Sequence, residues 1–405
     1  MSSTADQNLV RKHNTALVID YLRRKAPVSR AEVAVGTGLN RSTVSSIINE
    51  LLDDNLIAET TYQSDRIGRP GLELVLNPNG GFAVGHEFGV DFHSLIIADF
   101  AGNPRWRFTE KSDPSYGQEK IIKRAFELDE MAVEEGKKMD MRPLGIGIGV
   151  PGLVDSQRGE LMLAPNLGWK EVPMCRMWSE HFKLPVFVDN EANAAAMGEY
   201  YFGAAKGVDN FVYISAAIGL GSGIVINGKL FRGNNGFAAE VGHMTYDPEG
   251  ELCNCGRRGC YETVIGPRAV VKRVIEKMND TSDSILLNAV DHDMDIITFE
   301  AVADAAAEGD EICLSALKEV GFNLGIVISN IVNVMNPKMV VLGGVLNYAS
   351  DILVPLVKEV VSSYSLELSQ RELQIVESKH GQDTCVLGTT ALVLDSIWKE
   401  PGFLT

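Results

Sequence analysis

One stretch of this chain constrains its fold more than any other. Glu240 to Glu262 reads E-V-G-H, a nine-residue spacer, then C-N-C-G-R-R-G-C-Y-E. His243, Cys253, Cys255 and Cys260 offer one imidazole and three thiolates, the ligand set of a closed tetrahedral zinc site. Three cysteines this close behind a histidine read as a metal signature. Gly256 and Gly259 let the backbone turn tightly enough to bring three sulfurs onto one ion. A closed site keeps no position for water, so its expected role is structural, to hold its flanks rigid. Those flanks are two acids, Glu240 and Glu262. Carboxylates on a metal-stapled loop suit bidentate recognition of neighbouring hydroxyls, as on a sugar. The plainer alternative is a zinc knuckle with no ligand role.

At 405 residues the chain exceeds one ordinary core, so two or three domains are expected. No apolar run approaches the roughly 20 residues of a membrane span. Met1 to Gln7 lacks the apolar core of a secretory signal. The expectation is a cytoplasmic protein with no membrane partner, whose cysteines are metal ligands or buried thiols. Cys175, Cys313 and Cys385 stand apart and read as packing residues. The net charge of −17 argues against a protein that coats nucleic acid. It is unevenly spread: residues 1–79 carry nine Lys/Arg and nine Asp/Glu, so the rest of the chain holds all the excess. Within that segment, residues 9–46 hold seven Lys/Arg against Asp20 and Glu32. A locally basic head on an acidic body confines DNA contact to the head.

The head has the pattern of a winged helix-turn-helix. Apolar residues from Leu9 to Leu22 recur at helical period, and Pro27 ends that helix. Ser29-Arg30-Ala31-Glu32 is a capping box opening a second helix, and Gly36-Thr37-Gly38 breaks it. Asn40 caps a third helix to about Asp53, with Val44, Ile47, Ile48, Leu51 and Leu52 on its buried side. Asn40, Arg41, Ser42, Thr43 and Ser45 lie at its start and suit base edges and phosphates in a major groove. Leu56–Thr61 and Leu72–Leu76 read as strands joined by a tip carrying Arg66 and Arg69, which would reach a phosphate or the minor groove. A three-helix adaptor that binds no DNA is the alternative.

Residues 78–81 read as a linker. Beyond it come two strands, Phe82–Val90 and His93–Asp99, a charged helix from Gly117 to Lys138 and a buried strand, Leu144–Val150. Asn279 to Asp293 reads as an irregular connection, and helices then alternate with strands to a last helix at Leu387–Trp398.

E-x-G-H followed by C-x-C-G-x-x-G-C-x-E resembles the signature of the ROK family of sugar kinases and sugar-responsive repressors. Pro151-Gly152-Leu153-Val154-Asp155, Ala164–Trp169 and Asp189-Asn190-Glu191-Ala192-Asn193 resemble the family's sugar-side turns. The resemblance implies an α/β actin-like ATPase (ribonuclease H-like) body of two lobes. They are expected at 82–190 and 191–405, the second with the zinc loop and with the last helix free to return to the first. A winged helix-turn-helix head occupies 1–77. The resemblance also implies sugar contacts at Asn190, Glu191, Glu240, His243 and Glu262, with Gly152, Leu153 and Asn166 beside them. A helix cap at Asn190 and a plain surface acid at Glu262 are the alternatives.

The family's kinases have D-x-G-G-T where this chain has Glu87-Phe88-Gly89-Val90-Asp91, and G-T-G-x-G-x-G where it has Ala217 to Gly223 with Ile218 in place of threonine. Their base aspartate is Glu191 here. Phosphoryl transfer rests on positioning and charge neutralisation, so these three changes point to a repressor without nucleotide or catalytic residues. The alternative is a sugar kinase with a DNA-binding head. The resemblance further implies a homodimer, with a tetramer as alternative, on a near-palindromic operator. Sugar would close the cleft between the lobes and re-space the heads. Glu191 is one methylene longer than aspartate and projects where a hexose places its hydroxymethyl group. That, with a likeness of Glu191-Ala192-Asn193 to xylose-responsive repressors, makes D-xylose the expected effector, with glucose or an oligosaccharide as alternatives.

Overall fold

The computed structural model describes residues 7–61, 72–278, 284–291 and 293–400. Three helices come first. α1 (Gln7–Lys25) buries Val18, Ile19 and Leu22. α2 (Arg30–Thr37) starts on the expected capping box: Ser29 accepts from the Glu32 N–H while Glu32 accepts from the Ser29 N–H. It stops at Gly38, whose φ of 71° only glycine adopts without strain. α3 (Arg41–Asp53) buries Val44, Ile47, Ile48 and Leu51. Two antiparallel strands follow, β1 (Ile57–Thr61) and β2 (Leu72–Leu76), in register Ile57 to Leu76. The expected tip with Arg66 and Arg69 lies outside the described residues.

The segment read as a linker is a pinned turn. Asn77 caps a short 3-10 turn, Pro78–Gly80, and donates to the Asn55 carbonyl at 2.9 Å. The Arg142 guanidinium donates to the Gly80 carbonyl at 3.0 Å.

β3 (Phe82–Phe88), β4 (Phe92–Asp99), β5 (Pro104–Lys111), α4 (Gln118–Lys138) and β6 (Pro143–Val150) come next. β5 was not anticipated. Its half-buried residues alternate with exposed ones, the pattern of a strand with one open face. An excursion of three short strands follows: β7 (Leu153–Asp155), β8 (Glu160–Ala164) and β9 (Trp169–Val172). α5 (Met174–Phe182) and β10 (Val186–Asn190) complete the first five-stranded sheet, and α6 (Glu191–Tyr201) leads on to β11 (Phe211–Ala216), β12 (Leu220–Ile226) and β13 (Lys229–Leu230). The helices α7 (Glu262–Ile265), α8 (Pro267–Met278), α9 (Ile285–Ala289), α10 (Phe299–Ala307) and α11 (Glu311–Met335) precede β14 (Met339–Gly344). α12 (Ser350–Tyr364), α13 (Glu367–Gln370), β15 (Gln374–Glu377) and α14 (Thr384–Lys399) end the described chain. The connection expected to be irregular therefore contains α9.

The two large sheets repeat one plan. Their orders are β10-β6-β3-β4-β5 and β13-β12-β11-β14-β15. In each, the first three strands in sequence pair antiparallel and the fourth runs parallel to the first. This is the doubled arrangement implied by the actin-like resemblance.

The chain divides into two compact units, Met1–Gly149, Pro173–Val188 and Thr389–Thr405 in one, Val150–Val172 and Asp189–Gly388 in the other. The head expected as a separate domain at 1–77 groups with the first unit. The excursion β7 to β9, expected in the first lobe, groups with the second unit, because its strands pair with one another and not with the first sheet. The end of α14 groups with the first unit. There Gly147 admits it: a Cβ at that position would stand 1.9 Å from the Thr389 carbonyl oxygen.

In the second unit, α6 is buried from Ala192 to Tyr201. Its alanines are small because two neighbours press on them. A Cβ at Gly223 of β12 would meet Ala196 at 2.6 Å, and one at Gly388 would meet the Ala194 carbonyl at 1.8 Å. Among the described residues α11 alone is long and apolar enough to cross a membrane, and 61% of its most apolar window is buried within the fold. Leu317, Val320, Leu324 and Ile328 are fully buried in the apolar core.

Candidate effector site and metal cluster

His243, Cys253, Cys255 and Cys260 converge as their spacing predicted, with every ligand atom within 4.8 Å of the others. Cys255 and Cys260 sulfurs lie 3.7 Å apart, and Cys253 Sγ lies 3.8 Å from His243 Nδ1. Four ligands about 2.3 Å from one ion would stand roughly 3.8 Å from each other, so the four atoms fit a tetrahedral ion. Burial, with the neighbouring thiol and Glu262, pushes the Cys260 thiol up, and Cys253 is pushed up further, again chiefly by burial. The two loop glycines differ. Gly256 has φ 86° and open space around its α-carbon, whereas Gly259 has φ 66° and lies against the Asp247 carbonyl.

The two flanking acids meet this cluster from either side. His243 turns Nδ1 to the cysteines and Nε2 toward Glu240, 4.0 Å away. Glu240 keeps 41% of its side-chain surface open. Burial raises its pKa, His243 opposes that, and Glu262 adds to it. Glu262 opens α7 and is no plain surface acid. Its carboxylate accepts the Leu220 N–H at 3.1 Å and lies 3.3 Å from Cys253 Sγ. Gly219 leaves the room it needs, since a Cβ there would fall 1.9 Å from Glu262 Oε2.

Asn190 caps the start of α6, the alternative weighed above. Its side-chain oxygen accepts from the Ala192 and Asn193 N–H groups at 2.8 and 3.3 Å. Its amide donates to the Gly152 carbonyl at 3.0 Å and to Glu191 at 2.8 Å. Gly152, at φ 127°, packs against the Leu163 carbonyl, and Leu153 follows in β7. Asn166 is tied to the metal loop, accepting from the Asn254 side chain at 3.1 Å. All eight residues proposed for sugar fall in the second unit. The sequence reading missed Asn254, Asp189 and Arg232. Asp189 is 2% exposed and accepts both guanidinium nitrogens of Arg232, at 3.0 and 2.6 Å. Only an acid next to Asn190 could have signalled that pair, with nothing to show its partner.

The two glycine runs compared with phosphate turns lie in different units. The run at 219–223 is mostly strand β12: Gly221 and Gly223 admit Ala192 and Ala196 of α6, and Gly219 admits Glu262. Ile218 is half-buried beside them. In the other unit Gly89 and Phe92 close the hairpin between β3 and β4, with Val90 buried and Asp91 exposed.

In the head, Arg41 and Ser42 are exposed at the first turn of α3, with Thr43 and Ser45 half-buried. Asn40 is engaged as the cap, its oxygen accepting from Thr43 N–H at 2.8 Å and from Ser42 Oγ at 2.7 Å. Arg11 pairs with Glu50, and Arg30 with Glu59, so part of the basic excess is neutralised internally.

The doubled α/β fold, with acids beside a cluster of three cysteines and a histidine, is that of the actin-like class. The ROK family pattern matches residues 103–396, and the chain belongs to the ROK family. The chain is 34% identical over 400 residues to the xylose repressor of Caldicellulosiruptor bescii, covering 98% of this chain and 99% of that one. It is also similar to a crystallised ROK transcriptional regulator described as a homologue of the E. coli MLC protein, at 29% identity and TM-score 0.83, over 96% of this chain and 97% of that one. A ROK glucokinase from Streptomyces griseus, crystallised with glucose and AMPPNP, matches at 28% identity and TM-score 0.70, over 77% of this chain and 99% of the kinase.

Proposed function

We propose that this protein is a sugar-responsive transcriptional repressor whose body binds sugar without transferring phosphate. What carries this reading is the extent of the matches. A xylose repressor spans the chain nearly end to end, whereas a complete glucokinase accounts for 77% of it. In this reading α1 to α3 with β1 and β2 form a winged helix-turn-helix. Arg41, Ser42, Thr43 and Ser45 face a major groove, and Asn40 contributes through its cap. Arg66 and Arg69 serve the wing. The protein works in the cytoplasm as a homodimer on a near-palindromic operator, each head taking one half-site.

His243, Cys253, Cys255 and Cys260 would hold a structural zinc ion, which supplies rigidity and no reaction chemistry. Glu240, His243, Glu262, Asn190 and Glu191 would contact sugar hydroxyls, with Gly152, Leu153 and Asn166 lining the site. A histidine with one nitrogen on metal and the other on an acid is held in one orientation and tautomer. The effector is D-xylose. Glu191 is anchored by the Asn190 amide beside Gly221, where it takes space a hexose hydroxymethyl group would need. Sugar shifts a two-state equilibrium by no more than its differential affinity for the two states.

The second reading, a sugar kinase with a DNA-binding head, is favoured by the glucokinase likeness. The test is operator binding by fluorescence anisotropy with D-xylose, D-glucose and no sugar, beside an ATPase assay. Operator affinity that changes with D-xylose supports the repressor. Sugar-dependent ATP turnover overturns it.

A further inference from the structure

Asp189, which is buried, and Arg232, which is half-buried, form an ion pair that no step above uses. Asp189 is the penultimate residue of β10 and Arg232 follows β13, 43 residues later. Both guanidinium nitrogens reach the carboxylate, and a planar two-point contact fixes orientation as well as distance. The same carboxylate accepts the Asn190 N–H at 2.9 Å and the Asn193 side chain at 3.1 Å. One buried group thus anchors the start of α6, where Asn190 and Glu191 stand, and the first residue of the segment that ends on Glu240.

That segment is closed on itself. The Ala238 N–H donates to the Arg232 carbonyl at 3.2 Å, and Gly233 and Gly236 turn it at φ 66° and 90°. At its far end Ser222 of β12 donates to the Ala239 carbonyl. In between, Gly236 passes β7, its Cβ position 3.6 Å from the Val154 carbonyl. Residues 232–239 therefore form a ring-shaped loop whose base is Arg232, whose side meets the strand that carries Leu153, and whose exit is Glu240.

We propose that Arg232 is a positioning residue for the effector. Through Asp189 it sets the spacing between Glu191 and Glu240, two acids from separate segments, without touching the sugar. This rests on the sugar reading of those acids. An arginine is suited to the role because lysine offers a single point of charge and cannot fix the angle of the loop base.

The test uses the full chain with Arg232→Ala, Arg232→Lys, Asp189→Asn and the double variant Asp189→Asn/Arg232→Ala. Calorimetry with D-xylose should show affinity lower by about tenfold or more in Arg232→Ala, the scale of a lost charge-assisted bond. Arg232→Lys should recover part of it, and the double variant should lose no more than the worse single one. Metal content and sugar-free operator affinity should stay at wild-type levels. Hydrogen exchange supplies a readout that needs no sugar: in Arg232→Ala, amides at 190–193 and 232–240 should exchange faster together, while 253–260 keeps its protection. Wild-type sugar affinity in Arg232→Ala overturns the proposal, as does faster exchange in only one of the two segments. If the wild-type chain binds no sugar, the sugar reading fails, and the exchange pattern still decides whether the pair couples the segments.

Discussion

Gly256 and Gly259 look equivalent in the sequence and are not. Both take left-handed backbone, but only Gly259 lies against a backbone carbonyl, that of Asp247. Gly256→Ala should cost about 1–2 kcal/mol of loop strain and keep the metal. Gly259→Ala should weaken metal binding at least tenfold, because the loop must move off Asp247. Chelator competition on both variants measures this, and equal losses would refute the distinction. At Glu191 the expectation concerns sugar choice. In calorimetry the wild type should prefer D-xylose over D-glucose, and Glu191→Asp should move preference toward glucose, within the roughly 1–3 kcal/mol that one methylene discriminates. A wild type that binds glucose best would show that Glu191 does not exclude the hydroxymethyl group.

At the scale of elements, α3 and the β3–β4 pair each carry a measurable consequence. Arg41→Ala should weaken operator binding by about 1–3 kcal/mol if it makes a two-point base contact. Asn40→Ala should instead lower head stability by about 1 kcal/mol through the lost cap. Operator affinity unchanged in Arg41→Ala at moderate salt would remove that turn from the interface. In the first sheet, His93 of β4 is bonded to His86 of β3 at 2.9 Å, and His86 is bonded to Asp129 of α4. Burial, with His86 and Arg124 against the opposing pull of Glu110, lowers His93 to about 3. The sign follows directly. The unfolded chain takes up a proton below its ordinary value near 6.5 while the folded chain does not, so stability is full above that pH and falls as pH drops. Lost progressively as pH falls from 6.5 through 3, the contribution is on the order of 5 kcal/mol. Denaturant midpoints between pH 6.5 and 5 should therefore decline in the wild type and decline less in His93→Gln. Identical slopes would mean that the His93 ring is protonated in the folded state as well.

For the whole molecule, the prediction is a negative one. On the repressor reading no aldose should elicit ATP hydrolysis: the family resemblance sets Val90, Asp91 and Ile218 against the kinases' phosphate turns, and Gly219, Gly221 and Gly223 pack against Glu262 and α6. Turnover near the roughly 1–100 s⁻¹ of kinases would sink the repressor reading.

Much of the local structure is legible in the residues alone. The cap at Ser29, the left-handed stop at Gly38, the long apolar helix α11 and the cluster of His243 with three cysteines are set by short spacings or by period alone. The edge strand β5 escaped notice because its burial is partial, and the β7–β9 excursion because its short strands read as turns. Tertiary structure alone decided the partners. It assigned Gly221 and Gly223 to the face of α6, joined Asp189 to Arg232 across 43 residues, and grouped 150–172 with the second unit. Each is a contact between segments far apart in sequence. Spacing along a chain carries no record of which buried charge or which missing side chain will face it once the sheets have formed.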